Sequence, residues 1–556
     1  MAPQLRDAPR DGASTMTMSG AHALRLFHTV RRLRPVQVYG RAWRRLELGR
    51  IDARPSPPVR TVIGPWAAPA PRERSLYAAW RMRFLNHDGE IAQAAQWEDP
   101  SQTRLWLYNL HYFDDLASAS DEQHRTLQRQ LISRWIAENP PANGTGWEPY
   151  PISLRAANWI KFWLAGNQPE AGGRDSLAIQ LRWLMTHLEW HLLGNHLLAN
   201  AKALVLAGLC FEGDEPEGWL RKGLEIYARQ LSEQILGDGG HFELSPMYHA
   251  IILEDLLDLS NAGRAYGRTE PFFAALPAII GRMRAWLAAM THPDGEIALF
   301  NDAAFGIAAP PSDLEAYARR LGLPELPPGT GRLRHLAASG YVRLDRGEAA
   351  AILDLAAVGP DYLPGHAHAD TLSFELSVGD ERVIVNGGTS TYERGPLREA
   401  QRATRAHSTV EVASQDSSEM WASFRVARRA YVEAAVVADT ARETSVLAAH
   451  NGYRRLPGKP LHRRSWVMTD NAFEIRDQVT GSQPVPAIAR FHLAPSVAAT
   501  GDQLITASGR AIRWRSTAPA TIEQRDWHPR FGQNLRSSTL VVPMPAGELI
   551  TVFEWG

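Results

Sequence analysis

The chain has 556 residues and a single cysteine, Cys210. That scarcity excludes a disulfide framework and argues against thiolate zinc chemistry; Cys210, set in an apolar run, reads as a small buried hydrophobe. An excess of either charge is also lacking. Lys+Arg and Asp+Glu are 60 each, so no global field favours nucleic acid or another polyanion, and charged partners must be met by local patches. No run of about 18 or more apolar residues is there to cross a bilayer. The first twenty residues mix Arg6, Asp7, Arg10 and Asp11 with Ser and Thr and have no apolar stretch of a secretory leader. The expected location is the cytoplasm or the inner face of the membrane, or the periplasm if translation starts elsewhere.

One local patch stands out. Over 21–50, Arg25, Arg31, Arg32, Arg34, Arg41, Arg44, Arg45 and Arg50 face a single acid, Glu47, with Leu24, Phe27, Val30, Leu33, Tyr39, Trp43 and Leu46 interleaved. Pro35 divides the stretch into two short helical pieces. It can pack on the rest of the protein, or lie on anionic membrane as a peripheral contact. Residues 54–72 are Pro- and Ala-rich and read as an extended linker, so 1–74 form a basic extension and linker.

From 75 to 328 the periodicity is helical. Segments 153–166, 175–194, 196–210, 216–236, 249–266 and 270–290 repeat apolar residues at three- and four-residue spacing, joined by Gly- and Pro-rich connections. Helical hairpins repeated in this way predict an (α/α) toroid. From 333 to 556 the period becomes two, with strands predicted at 349–357, 372–378, 382–385, 409–412, 426–437, 464–468, 473–476, 487–493, 512–514 and 539–542, and with no intervening helix. This half reads as an antiparallel β-sandwich. The predicted class is α+β multidomain, with a site expected in the cleft between the halves.

The candidate chemistry clusters in a few segments. Gly365-His366-Ala367-His368-Ala369-Asp370 precedes a strand, and residues two apart in extended backbone share a face. Both imidazoles are expected at one site, with Asn386 and His407 closing it; a chance pairing among 19 histidines is the alternative. Asn195-His196 joins two helices and serves either as a helix cap or as a donor pair aimed into a cavity. In Asp238-Gly239-Gly240-His241-Phe242-Glu243-Leu244-Ser245-Pro246-Met247-Tyr248-His249, Tyr248 falls in the first turn of a helix, as a general acid or base or as a core tyrosine. Trp147 and Arg155, with His241 and Glu243, are candidate substrate contacts. Arg155, Arg402 and Arg405 would suit a sulfate or carboxylate, or simply pair with acids. The stretch 106–113, like 146–155, concentrates aromatics of the kind that stack on sugar rings.

Taken together and in this order, Asn195-His196, Ser245-Pro246-Met247-Tyr248, the His366/His368 segment, Asn386-Gly387-Gly388 and His407-Ser408-Thr409-Val410 resemble the heparinase II/III-like family of polysaccharide lyases, which includes alginate-lyase relatives. The likeness covers roughly 75–550. It implies a toroid followed by a β-sandwich, and β-elimination on an acidic, uronic-acid-containing polysaccharide or oligosaccharide with no cofactor required. By resemblance Asn195, with or without His196, neutralises the substrate carboxylate; Tyr248 is the acid and for some substrates the base; His366 is the second base. Some relatives hold a structural zinc at positions matching His368, Asn386 and His407. The relatives usually have Asp where this chain has Asn386, a weaker zinc ligand. The basic extension, with 108–113, resembles a subgroup found beside exopolysaccharide-assembly proteins. Two other readings stay open: an inactive glycan-binding or assembly protein, and a glycoside hydrolase using two of Glu148, Glu243, Asp238 and Asp302.

Overall fold

A computed structural model of the protein describes residues 20–44, 49–327, 329, 331–545 and 547–556. Residues 1–19, and Arg45, Leu46, Glu47 and Leu48 of the basic stretch, lie outside them. Helices α1 (Gly20–Val30) and α2 (Pro35–Arg44) come first. The Pro-rich segment follows, and it is extended but not a free spacer. Arg60 N donates to Cys210 O at 2.7 Å, and Ile63 N and Gly64 N donate to Ala265 O, so it is strapped along the helical half.

The helical half is α3 (Arg104–Tyr112), α4 (Glu122–Glu138), α5 (Pro149–Leu164), α6 (Gly173–Thr186), α7 (Gly194–Cys210), α8 (Asp214–Gln234), α9 (Pro246–Ala265), α10 (Pro271–Ala289) and α11 (Pro311–Arg320). Every residue of α7 is buried. Its Ala- and Leu-rich sequence suits burial on every side, and polar members such as Lys202 are paired inside, here with Asp255 and Asp258. By length and composition α10 could cross a membrane. Its stripe Phe273, Leu276, Ile280, Met283 and Trp286 instead packs into the protein core, and its Arg284 pairs with Glu315. The periodicity overlooked α3 and α4. It also overlooked a three-stranded antiparallel sheet at 76–90, inside the region read as wholly helical.

The second half is antiparallel in all its strand pairings. A five-stranded meander runs Leu333–Leu336, Tyr341–Arg346, Ala349–Asp354, Phe374–Val378 and Glu381–Ile384. A four-stranded and an eight-stranded sheet pack with it around Val342, Phe374, Trp466, Phe491 and Phe553. The last strand, Glu548–Glu554, lies between Ala472–Thr480 and Ala511–Ser516. One helix, α12 (Pro396–Arg402), interrupts this half, contrary to the expectation of strands alone. It is too short to show a period, yet it carries Arg398.

Candidate active site

Each site side chain on the helical half sits beside an unusual backbone turn. Leu193, just before α7, has φ 62° and ψ −154°, a region almost reserved for glycine. Gly194 follows at φ 54°, and a Cβ there would stand 2.5 Å from Glu243 Oε1. The missing side chain lets Glu243 close on Asn195, which donates its backbone N at 3.1 Å and its Nδ2 to both carboxylate oxygens at 3.0 Å. Leu244 (φ 58°) follows Glu243, and Asn301 (φ 57°) precedes Asp302. Non-glycine residues in left-handed backbone are uncommon; here three of them flank the side chains that meet at the seam.

Asp302 joins the two halves. It comes from the helical half and accepts His366 Nδ1 at 2.9 Å, His368 Nε2 at 2.9 Å, Thr389 Oγ1 at 3.3 Å and both terminal nitrogens of Arg398. Burial alone would raise its pKa; the Arg398 guanidinium and the two histidine contacts outweigh that and hold the carboxyl well below the usual range. An ionised carboxylate only accepts, so the His366 proton is assigned to Nδ1 and its Nε2 keeps a lone pair. Burial also lowers the pKa of His366, so the ring rests neutral.

The free edge of His366 meets the other two groups. Its Nε2 lies 3.6 Å from Glu243 Oε2, and its ring centroid is 4.0 Å from that of Tyr248. Tyr248 stands on the first turn of α9, capped by Ser245. The Ser245 hydroxyl accepts Tyr248 N at 3.3 Å and donates to Asp302 O at 2.6 Å, so one residue registers phenol and carboxylate together. Tyr248 Oη is 3.1 Å from Tyr392 Oη. Burial, with Tyr392 and Asp302 adding to it, pushes the phenol well above its ordinary pKa. Burial likewise raises Glu243 to about 7. Asn195, Glu243, His366 and Tyr248 therefore form one contiguous set from both halves. It pairs a neutral imidazole with a firmly protonated phenol, as an acid–base pair requires. His196 lies alongside: Nδ1 is 3.2 Å from Glu189, Nε2 is buried with no hydrogen bond among the described residues, and its ring packs on Tyr150 at 4.4 Å.

Several predicted contacts sit elsewhere. Arg155 is fully buried and spends its donors on Gln180, His111 O and Gly146 O, stacked 3.8 Å over Trp135. Trp147 is in the core, donating to Asn139 O. His241 is enclosed below the site against Gln234 and His249. Arg402, also fully buried, holds Ala367 O and Ala422 O and so shapes the His366/His368 loop from behind. These four support the fold and do not face a ligand. Arg405 is exposed. Nothing in the sequence signals Arg398 or Tyr392, and Asp302 stands there as a carboxylate of the hydrolase alternative. Asn386 and His407 are expected to close the site; the hydrogen bond that orients His366 runs to Asp302.

His368 and His407 stand with ring centroids 5.2 Å apart. His368 Nδ1 is buried without a hydrogen bond among the described residues, as are both ring nitrogens of His407 apart from the nearby Gln401 carbonyl. Asn386, the third expected ligand, is engaged: Oδ1 accepts Ser408 N at 3.3 Å and Nδ2 reaches Ser373 Oγ at 3.3 Å. Among the described residues no group of three His, Cys, Asp or Glu is placed to hold a metal.

Fold and site together define a toroid-plus-sandwich protein with an amide, a phenol and an imidazole gathered at the seam. Residues 84–313 match the Heparinase II/III N-terminus and residues 328–555 match Heparinase II/III-like, C-terminal, so the chain belongs to the heparinase II/III-like family. Among curated relatives it is 26% identical over 452 residues to FtsZ-localized protein C of Caulobacter vibrioides, covering 74% of each chain. It is 24% identical over 352 residues to a heparin-sulfate lyase of Pedobacter heparinus, covering 57% of this chain and 53% of that one. Among solved structures, heparinase III superposes with a TM-score of 0.63 at 17% identity, covering 85% of this chain and 79% of that chain. A heparan sulfate lyase of Pedobacter heparinus gives 0.55 at 17%, covering 86% and 81%. At these identities the superpositions establish the fold.

Proposed function

We propose that the protein is a polysaccharide lyase that cleaves a uronic-acid-containing glycan by β-elimination. The observation that carries this is the contact of Tyr248 with His366, with His366 Nδ1 tied to Asp302. The C5 proton of a uronate is a poor acid until its carboxylate is neutralised. Asn195 supplies amide donors for that purpose, and His196 stands beside it; preorganised donors stabilise the enolate-like charge as it develops. His366 Nε2 takes the C5 proton. The electron pair left behind forms the C4–C5 double bond as the C4–O4 bond breaks, and the Tyr248 hydroxyl protonates the departing O4. Solvent exchange returns the proton from His366 and restores the Tyr248 phenol. Asp302 and Arg398 position His366 and do not touch substrate.

The names of the heparin-sulfate lyases support an acidic polysaccharide as substrate. FtsZ-localized protein C carries no activity in its name, and a glycan-binding role without turnover is the second reading it invites. The complete Asn195, Tyr248 and His366 set favours turnover. A hydrolase is disfavoured because three of the four candidate carboxylates are committed, Glu148 to Tyr108 and Arg104, Asp238 to Ser339 and Asp302 to its four partners, which leaves Glu243 without the second carboxylate that hydrolysis needs. Zinc on His368 and His407 would need a charged third donor where Asn386 stands, so the reaction is assigned no step through it; elemental analysis checks that. The test of function is a panel of acidic polysaccharides read by ultraviolet absorbance of the unsaturated product. Absorbance rising with one of them is expected; reducing ends released without absorbance would indicate hydrolysis, and binding without either would indicate the inactive reading.

A further inference from the structure

The basic stretch has two faces, and among the described residues one of them is occupied. On the inner face, Thr29 Oγ1 donates to Val426 O at 3.3 Å and accepts Trp421 Nε1 at 3.1 Å. Arg32 pairs with Asp361 at 2.7 Å. Arg34 pairs with Glu233 of α8 and lies 3.7 Å over the Tyr362 ring, while Gln37 donates to Tyr362 O at 3.1 Å. A Cβ on Gly40 would stand 3.1 Å from His191 Cβ, so α2 sits close on the helical half. These contacts reach both halves of the molecule and fix the two helices in place.

Among the described residues nothing covers the outer face. Leu24, Phe27, Val30, Val38, Tyr39 and Trp43 are 44 to 67% exposed. They are six of the fifteen large exposed hydrophobics in the described residues, gathered in residues 20–44, which scattered surface apolar residues do not produce. At about 100° per residue, Leu24, Phe27 and Val30, three apart, fall on one side of α1, and Val38, Tyr39 and Trp43, one and four apart, fall on one side of α2. Arg25 and Arg31 are exposed there too, with no ion pair among the described residues, and 20–44 contains no acidic residue. The inner-face arginines have acids opposite them; the outer ones have none. An apolar stripe carrying aromatics and edged by unpaired arginines is complementary to one kind of surface in particular, apolar just below and negative on top.

We propose that the outer face of α1 and α2 docks the protein on an anionic lipid bilayer. Phe27, Tyr39 and Trp43 enter the headgroup–acyl boundary, while Arg25 and Arg31 meet lipid phosphates. This surface is separate from the Asn195, Tyr248 and His366 set and stands whatever reaction that set performs.

Co-sedimentation of the full chain with phosphatidylglycerol-containing and with pure phosphatidylcholine vesicles tests it. Binding is expected to the anionic vesicles only and to weaken with added salt. Arg25→Ala with Arg31→Ala should weaken it about 30-fold, from roughly 1 kcal/mol per surface arginine. Phe27→Ala with Trp43→Ala should weaken it further, with the thermal transition unchanged because both side chains are exposed. The proposal is overturned by no sedimentation with anionic vesicles at low salt, by equal binding to both vesicle types, or by indifference to both double substitutions. Capture of a soluble acidic protein without vesicle binding would likewise overturn it, giving the face to a protein partner.

Discussion

Two buried clusters among the described residues join an aspartate, an arginine and a histidine in the same way, and they differ at one ring edge. At the seam, Asp302 holds Arg398 and His366. Inside the sandwich, Asp477 holds Arg464 at 2.6 Å and His462 at 2.8 Å. In the second copy every valence is used. His462 Nδ1 accepts from His450 Nε2 at 3.1 Å, and His450 Nδ1 accepts Gly452 N at 3.2 Å, so the chain of donors closes on backbone. In the first copy His366 Nε2 ends beside Glu243 and Tyr248. A buried His–Asp–Arg cluster is therefore not by itself a sign of catalysis. What distinguishes the two is the lone pair left open next to a phenol.

The largest expected effect breaks the first copy. Tyr248→Phe should cut kcat by about 10²- to 10⁴-fold, the usual span for a general acid, while leaving glycan binding nearly intact. Stopped-turnover and binding measurements on one glycan check this; unchanged kcat would remove Tyr248 from the reaction. Breaking the second copy should do the reverse. His462→Ala leaves His450 and Asp477 each short of a buried partner and should cost about 1–3 kcal/mol of stability, read by thermal denaturation, with kcat preserved at low temperature.

Two smaller effects depend on pH. With His366 lowered and Glu243 raised to about 7, kcat/KM should fall on the acid side as His366 takes up a proton, at a pH below 6.5, and on the alkaline side near 7 as a carboxylate forms against the uronate. Glu243→Gln should remove the alkaline limb and leave the acid one; a wild-type profile flat through 7 would contradict the assignment. Stability should move as well. Burial lowers His249 and His368 to about 4, and His241, His407, His450 and His492 well below 6.5. Below 6.5 the unfolded chain binds these protons and the folded chain does not, so their contribution is intact above 6.5 and is lost as pH falls. The thermal midpoint should drop between pH 6.5 and 4.

The comparison also shows which parts were legible in the sequence. The change of period near 333 reads as a change from helix to strand because helix and strand burial repeat at 3.6 and 2. Six helices were visible as apolar stripes; α4, with its polar EQHRTLQRQ opening, was not. Strand order was out of reach, since Glu548–Glu554 reaches its place only by pairing with strands far back in the chain. In the site, the spacing of His366 and His368 was informative, and the two rings do grip one carboxylate. The carboxylate itself was not, because Asp302 lies 64 residues from His366 and looks locally like a turn residue. Arg398 hides in a helix too short for a period. Arg155 and Arg402 failed for the opposite reason: an arginine's position in a motif does not reveal whether its donors are already spent on backbone carbonyls.

The most direct measurement takes the polysaccharide that yields unsaturated product and compares His366→Ala with His462→Ala for kcat and thermal midpoint side by side. The account predicts that the first loses turnover with little change in melting, and that the second melts earlier with turnover retained. A His366→Ala protein that still turns over at the wild-type rate would contradict it.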